Sequence, residues 1–297
     1  MHRYRSLVLP LAIVAGFFLH SYFALLKIIV PFLLFFILLL NFSAVEIRTL
    51  KLSPLHGWLL LFQLTVSLVA YFAICPFNEI LAQGVFIGIL CPVAASVVVV
   101  ASMLGANRAT ITTYSLVGNF GIAFFAPIYF SFIGQQQDLA FSDSFLLIFF
   151  KIAPILALPF VLIIVLQLFW PKANDFISKF KGLSFYLWAI ALMITIGQTI
   201  DFVFLYGASH QTVIIMLTVA SLLGCALQFT VGKAIGTYYG DCIAGGQGLG
   251  QRNTALAIWM ATMYLNPLAS IFPATYSIWQ NIYNSWQLWR YSTKTKQ

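Results

Sequence analysis

Long apolar runs alternate along this chain with short polar connections. Most of the runs are about 18–25 residues long and continuous rather than alternating, the pattern of membrane-crossing α-helices rather than strands. About ten such spans can be read. The first five are roughly Ser6–His20, Tyr22–Phe42, Trp58–Ile74, Ile80–Leu104 and Ala109–Ile133. The second five are roughly Ser144–Trp170, Leu183–Leu205, Thr212–Val231, Tyr238–Met260 and Pro267–Trp286. Ser6–His20 follows His2, Arg3 and Arg5 as a signal peptide would. It lacks a small-x-small cleavage site before the next run and reads as a retained helix.

Composition sharpens this picture. Hydrophobic residues make up 62% of the 297 and charged residues 7%, with a mean hydropathy of +0.97, against about a quarter charged in soluble domains. In lipid the backbone must satisfy its own polar groups, which leaves helices as the reading for continuous apolar runs. Cys75, Cys91, Cys225 and Cys242 are scattered, without metal-like spacing, and read as small packing residues.

Charge then orients the helices. The net charge is +8, which in a membrane chain points to basic cytoplasmic loops rather than to nucleic acid. With the N-terminus inside, Arg3, Arg5, Arg48, Lys51, Arg108, Lys172, Lys179, Lys181, Lys233, Arg290, Lys294 and Lys296 all fall on the inner side. Glu79, Asp138, Asp143 and Asp201 fall outside, with no lysine or arginine in the outer loops. Both termini are therefore expected in the cytoplasm of an inner (plasma) membrane protein.

Two spans are interrupted. The fourth contains Cys91-Pro92 followed by Ala94, Ala95 and Ser96. The ninth region carries Gly236, Gly240, Gly245, Gly246, Gly248 and Gly250, then Gln251-Arg252-Asn253-Thr254. Proline removes a backbone donor and glycine weakens a helix by about 1 kcal/mol. Such breaks persist in lipid where they line a cavity or are buried in protein. The two stand five spans apart, in equivalent places of two five-helix halves, about 1–135 and 144–290. Halves with an odd number of spans enter the membrane from opposite sides, so the expected architecture is an inverted repeat.

At these residues the chain resembles the bile acid:sodium symporter family, as a divergent bacterial-type member. The runs that carry the likeness are Cys91-Pro92-Val93-Ala94-Ala95-Ser96 and Gly248-Leu249-Gly250-Gln251-Arg252-Asn253-Thr254-Ala255-Leu256-Ala257. Gln63 is similar to a sodium-binding glutamine of that family, and Gly105-Ala106-Asn107 resembles a Gly-Asn turn there. The resemblance implies an all-α membrane domain with panel and core subdomains, in which helices four and nine cross near the centre. It implies sodium-coupled transport of a small organic anion of bile acid, carboxylate or sulfonate type. The departures bear on the coupling ion. The family's sodium-binding glutamate falls at Gly248 or Gln247, a polar pair after the first break falls at Val97-Val98, and a glutamine is replaced by Arg252. Sodium needs oxygen ligands and an offsetting charge, so sodium coupling, proton coupling and no coupling all stay open.

Arg252 carries the most chemistry. An arginine within a span costs roughly 2.5–3.5 kcal/mol on insertion scales and usually faces a cavity or a partner. It is expected to occupy the place of a cation, or to bind an anion through its planar fork; the alternative is a snorkelling side chain near a membrane surface. Pro92, Ser96, Thr112, Asn119, Asn253 and Thr254 complete the expected substrate site, and Gln63, Ser96, Ser115, Gln247 and Gln251 the ion-site candidates, although each alone is more often helix–helix glue. Helix N-termini at the breaks are expected to offer unpaired N–H groups to a carboxylate or sulfonate. Asp241 reads as a helix start or a proton-coupling group. His20 and His210 fall at helix ends with no cluster around them. No catalytic arrangement, metal motif or phosphate loop is found, so neither an enzyme nor a resident cofactor is expected. Arsenite/auxin-type carriers, a structural membrane subunit and an intramembrane enzyme rank below the transporter.

Overall fold

The computed structural model describes residues 11, 14–45, 50–94, 96–134 and 140–294. Arg3, Arg5, Arg48, Asp138 and Lys296 of the charge pattern, Ala95 of the first break and the start of the first span lie outside them. The helices, in chain order, are α1 (His20–Leu25), α2 (Val30–Ser43), α3 (Pro54–Ile74), α4 (Glu79–Leu90), α5 (Val97–Met103), α6 (Arg108–Ile133) and α7 (Phe141–Leu156). They continue with α8 (Leu158–Phe169), α9 (Pro171–Ser178), α10 (Leu183–Tyr206), α11 (Gln211–Tyr238), α12 (Cys242–Gly250), α13 (Thr254–Tyr264) and α14 (Ile271–Lys294). Among the described residues the only β-type pairing is one isolated bridge.

Among the described residues four helices, α3, α6, α10 and α11, are long and apolar enough to cross a membrane. The pair α7 and α8, bent by 45° at Ala157, makes a fifth if counted as one span. This is the helical membrane protein that the hydropathy predicts, in fewer uninterrupted crossings than the runs suggest. The second span is divided by a 3-10 turn over Leu26–Ile29. The fourth and ninth are divided at their breaks, and α14 carries Gln280, Asn281, Asn284 and Gln287 within its length.

The chain forms two compact units. One comprises residues 1–47, 123–211 and 258–270. Here α10 packs along α1 and α2, with Gly197 against Phe23, where a Cβ would come within 2.7 Å of the phenylalanine Cβ. His20 is not isolated as its sequence context suggests: its Nδ1 lies 2.8 Å from Asp201 Oδ1. The partners are 181 positions apart, so only the packing of this unit brings them together.

The other unit comprises residues 48–122, 212–257 and 271–297, and holds both breaks. Helices α3 and α4 form a hairpin through the turn at 75–77, and Asn78 caps α4 by accepting the Leu81 N–H at 2.8 Å. At the start of α3, His56 accepts the Ser53 N–H on Nδ1 (3.1 Å) and donates from Nε2 to the Thr110 carbonyl (3.1 Å), fixing α3 to α6. Leu55, Leu59, Val93, Val97, Ile111, Tyr114 and Leu249 form a buried apolar cluster in this unit.

The glycine-rich stretch is not itself the second break. Gly245, Gly246, Gly248 and Gly250 lie inside α12, and the helix stops only at Gln251. Tertiary packing overrides their low propensity. A Cβ on Gly245 would strike the Gly232 carbonyl and the Gly236 backbone, so these glycines bring α11 and α12 into backbone contact. Gly240, with φ +82°, makes the tight turn between the two helices.

Candidate functional site

The two breaks meet through their backbones. After α4 ends, residues 91–94 run extended beside residues 251–253, with an antiparallel bridge between Val93 and Arg252. The Ala94 N–H donates to the Gln251 carbonyl (3.0 Å) and the Asn253 N–H to the Pro92 carbonyl (2.9 Å). Each break thereby satisfies polar groups that the other exposes, which a nonhelical segment in lipid requires. Cys91 Sγ also donates to the Asn253 carbonyl at 3.0 Å. Asn253 Oδ1 accepts the Leu256 N–H (3.2 Å) and so caps α13.

Arg252 lies at the centre of this pairing and is 1% exposed. Burial this complete excludes the snorkelling arrangement. Its Nε donates to Gln228 Oε1 at 2.7 Å and its Nη1 to the Cys91 carbonyl at 3.0 Å. The backbone is held as firmly: its N–H donates to Gln280 Oε1 (2.8 Å), and its carbonyl accepts from Gln280 Nε2 (3.2 Å). Nη2 has no partner among the described residues, and no described carboxylate lies within 4.0 Å of the guanidinium.

The charge is met by helix-end carbonyls instead. Arg252 comes just after Gln251, the C-cap of α12, and its guanidinium reaches the residue just past the C-terminus of α4. Both termini carry negative partial charge from unpaired carbonyls. Gln63 assists: Nε2 donates to the carbonyls of Leu90 (2.6 Å) and Cys91 (2.7 Å), while its Oε1 accepts from the Tyr114 hydroxyl (3.1 Å). Tyr276 donates to the Gly250 carbonyl (2.7 Å) and accepts from Gln228 Nε2 (3.2 Å). The result is a fixed cation in a low-dielectric setting, tied down on two nitrogens and with a third unused. Such a group can neutralise helix ends or attract an anion.

Hydrogen bonds join Gln63, Pro92, Arg252 and Asn253 in this network, and Gln251 Nε2 donates to Ser96 Oγ at 2.9 Å beside it. Thr254 is buried and begins α13. Gln247 faces elsewhere, donating to Asn284 Oδ1 (3.0 Å) and Gln287 Oε1 (2.7 Å). Thr112, Ser115 and Asn119 are buried on α6, where Asn119 bonds the Ser115 carbonyl of its own helix. The expectation of open N–H groups at the breaks is not met for Ala94, Arg252, Asn253, Thr254 and Leu256, all of which donate within the chain. Asp241 takes the helix-start role: its Oδ1 accepts the Ala244 N–H (2.8 Å) and its Oδ2 the Asn107 N–H (2.9 Å).

One departure from the resembled pattern has a steric reason. A Cβ at Gly248 would come within 2.8 Å of the Tyr114 ring, so a glutamate there needs that ring to move. Val97 belongs to the buried apolar cluster. Gln228, Gln280, Tyr114 and Tyr276 are not singled out by the sequence, although Gln228 interrupts an otherwise apolar stretch. The sequence matches no family model and no curated protein.

Proposed function

We propose that this protein is a secondary transporter of a small organic anion, of carboxylate or sulfonate type, working by alternating access with the substrate held at the paired helix breaks. The observation that carries the reading is the buried, carboxylate-free Arg252, with Nη2 unused, where the two broken helices pair. Intramembrane ionisable residues concentrate on substrate and ion pathways, and paired interrupted helices in equivalent places of two halves mark transporter sites. Ten spans arranged as inverted halves, in a plasma membrane with both termini cytoplasmic, complete the proposal, supported by the spacing of the breaks and the bias of lysine and arginine.

Resemblance to the bile acid:sodium symporters would imply sodium coupling. Arg252 favours a sodium-independent carrier, because a fixed cation already faces the helix-end carbonyls that a bound ion would otherwise neutralise. Counterflow in proteoliposomes across a panel of labelled organic anions tests both parts. At least one anion should exchange equally well in sodium and potassium, and Arg252→Gln should abolish the exchange. Exchange of no anion would overturn the transporter reading, and strict dependence on sodium would overturn the built-in cation.

A further inference from the structure

The connection between α8 and α10 carries chemistry that the paired breaks do not use. Helix α9 begins at Pro171, directly after Trp170, and its 8 residues are too few to span a membrane. It is fastened instead to the end of α2, in the unit without the breaks. Asn174 is buried, and its Nδ2 donates to the Ser43 carbonyl at 3.2 Å. On either side, Gln167 Nε2 donates to the Val45 carbonyl (2.7 Å) and the Ser184 hydroxyl to Asn41 Oδ1 (3.2 Å). These contacts hold the connection against residues 41–45.

Asn174, Ile177 and Ser178 make up the inner side of α9, buried or half-buried. The opposite side is exposed and carries Lys172, Phe176 and Lys179 at i, i+4 and i+7, which puts them on one face. Phe180 follows, its ring edge-on to that of Phe176 with centroids 5.2 Å apart, and Trp170 is exposed at the start. Lys181 is exposed as well, and among the described residues no carboxylate lies within 4.0 Å of the three ammonium groups. Asp175 is the one acid of the helix. Exposed rings beside unneutralised lysines suit a helix lying in the plane of a membrane surface, with rings in the headgroup–acyl boundary and lysines snorkelling to phosphate. A soluble phosphate would satisfy the lysines but give the rings nothing to bury against. We propose that α9 is an interfacial helix that binds an anionic phospholipid, with Lys172 and Lys179 on the headgroup phosphate and Trp170, Phe176 and Phe180 against its acyl chains. The lysine and arginine bias assigns this lipid to the cytoplasmic leaflet. The inference goes beyond the transport reading and does not depend on it.

The test uses the full chain purified in dodecyl maltoside, with lipid titrated in and bound lipid counted by native mass spectrometry. Wild type should retain phosphatidylglycerol in preference to phosphatidylcholine with the same acyl chains. Lys172→Gln/Lys179→Gln should weaken phosphatidylglycerol retention by about tenfold, as the loss of two surface cations implies, with the melting temperature held near wild type. Lys51→Gln/Arg108→Gln removes two exposed cations of the same expected side from the other unit and should leave retention near wild type. Asp175→Asn should strengthen retention, a gain that unfolding cannot mimic. Phe176→Ser/Phe180→Ser should weaken both lipids and keep the preference between them. Unchanged retention in the lysine variant overturns the site, and unchanged retention in the phenylalanine variant overturns its seating in the membrane plane. Equal losses from the two pairs of cations also overturn it, by reducing it to the general basic bias of the inner loops. So would glycerol phosphate bound as tightly as phosphatidylglycerol, which would give the lysines to a soluble phosphate.

Discussion

The two helix breaks share a backbone arrangement and divide the chemistry unequally. Between α4 and α5, the break falls at Pro92 within an apolar setting, with Val93 and Val97 buried in the surrounding cluster. It contributes mainly carbonyls: those of Leu90 and Cys91 accept from Gln63 and Arg252, and that of Pro92 from Asn253. Between α12 and α13 the break is polar throughout, and its Gln251, Arg252 and Asn253 contribute the side-chain donors and the cap. Symmetry of form therefore does not require symmetry of function. One break supplies a negative edge, the other the cation that sits against it. The first should tolerate substitution better than the second.

The largest effect should come from Arg252→Ala. That variant strands Gln228 Oε1 and one donor contact to the Cys91 carbonyl in a buried region, at about 1–3 kcal/mol for each unsatisfied group. Thermal unfolding in detergent should show a drop of several degrees, and anion counterflow should vanish. Arg252→Lys should recover part of the stability but not the function, because an ammonium on a flexible stem cannot reproduce the planar fork. Full activity in the lysine variant would mean that charge alone suffices.

Next come the glycines that seat each broken helix. Gly88 of α4 faces the ring of Phe272, whereas Gly245 of α12 faces the backbone of α11 at Gly232 and Gly236. A ring at the end of a side chain can rotate away, while a helix backbone must translate. Gly245→Ala should therefore cost more than Gly88→Ala, at about 1–3 kcal/mol for an overpacked contact. Melting temperatures of the two variants measured side by side decide the order. A larger loss at Gly88 would show that the first break is the more rigid one.

Gln228→Glu separates charge from structure. The carboxylate would keep the contact to Arg252 Nε and form a buried ion pair in nearly the same volume. Fold and melting temperature should be close to wild type, while organic anion binding at the breaks should fall by about tenfold or more as the uncompensated positive charge disappears. Unchanged anion binding would show that the net charge of Arg252 is not what attracts the ligand.

Much of this was legible because it follows from local chemistry. Continuous apolar runs specify helices in lipid, Cys91-Pro92 marks a break that proline cannot bridge, and a lone arginine in a span must find acceptors. Those features led to Ser96, Gln251, Arg252 and Asn253, and the family resemblance to Gln63; the fold brings all five to the paired breaks or beside them. The acceptors themselves were hidden. Gln228 and Gln280 are 24 and 28 positions from Arg252, on helices whose facing side only packing reveals. The glycine run misled about the second break for the same reason: propensity lowers the stability of α12, and contact with α11 restores it. Thr112, Ser115 and Asn119 stand at helical spacing on α6, which says that they share a face but not what the face meets.

The smallest effect should follow from Pro92→Ala, which is also the sharpest test of what holds the first break open. Proline in a helix interior costs about 3 kcal/mol, so its removal would be expected to let α4 run on if proline alone interrupted it. The cross-pairing argues otherwise. The Pro92 carbonyl is committed to the Asn253 N–H, and the Ala94 N–H to the Gln251 carbonyl. A helix continuing through residues 91–96 would forfeit both bonds and pull the Cys91 carbonyl away from Arg252 and Gln63. Two backbone hydrogen bonds and one charge-assisted bond outweigh the few intrahelical bonds gained, at about 1 kcal/mol for each neutral bond and more for the charged one. Pro92→Ala should thus lower the melting temperature by no more than a few degrees and leave anion counterflow measurable. Complete loss of counterflow with the fold intact would show that the proline itself, and not the partner break, sets the geometry.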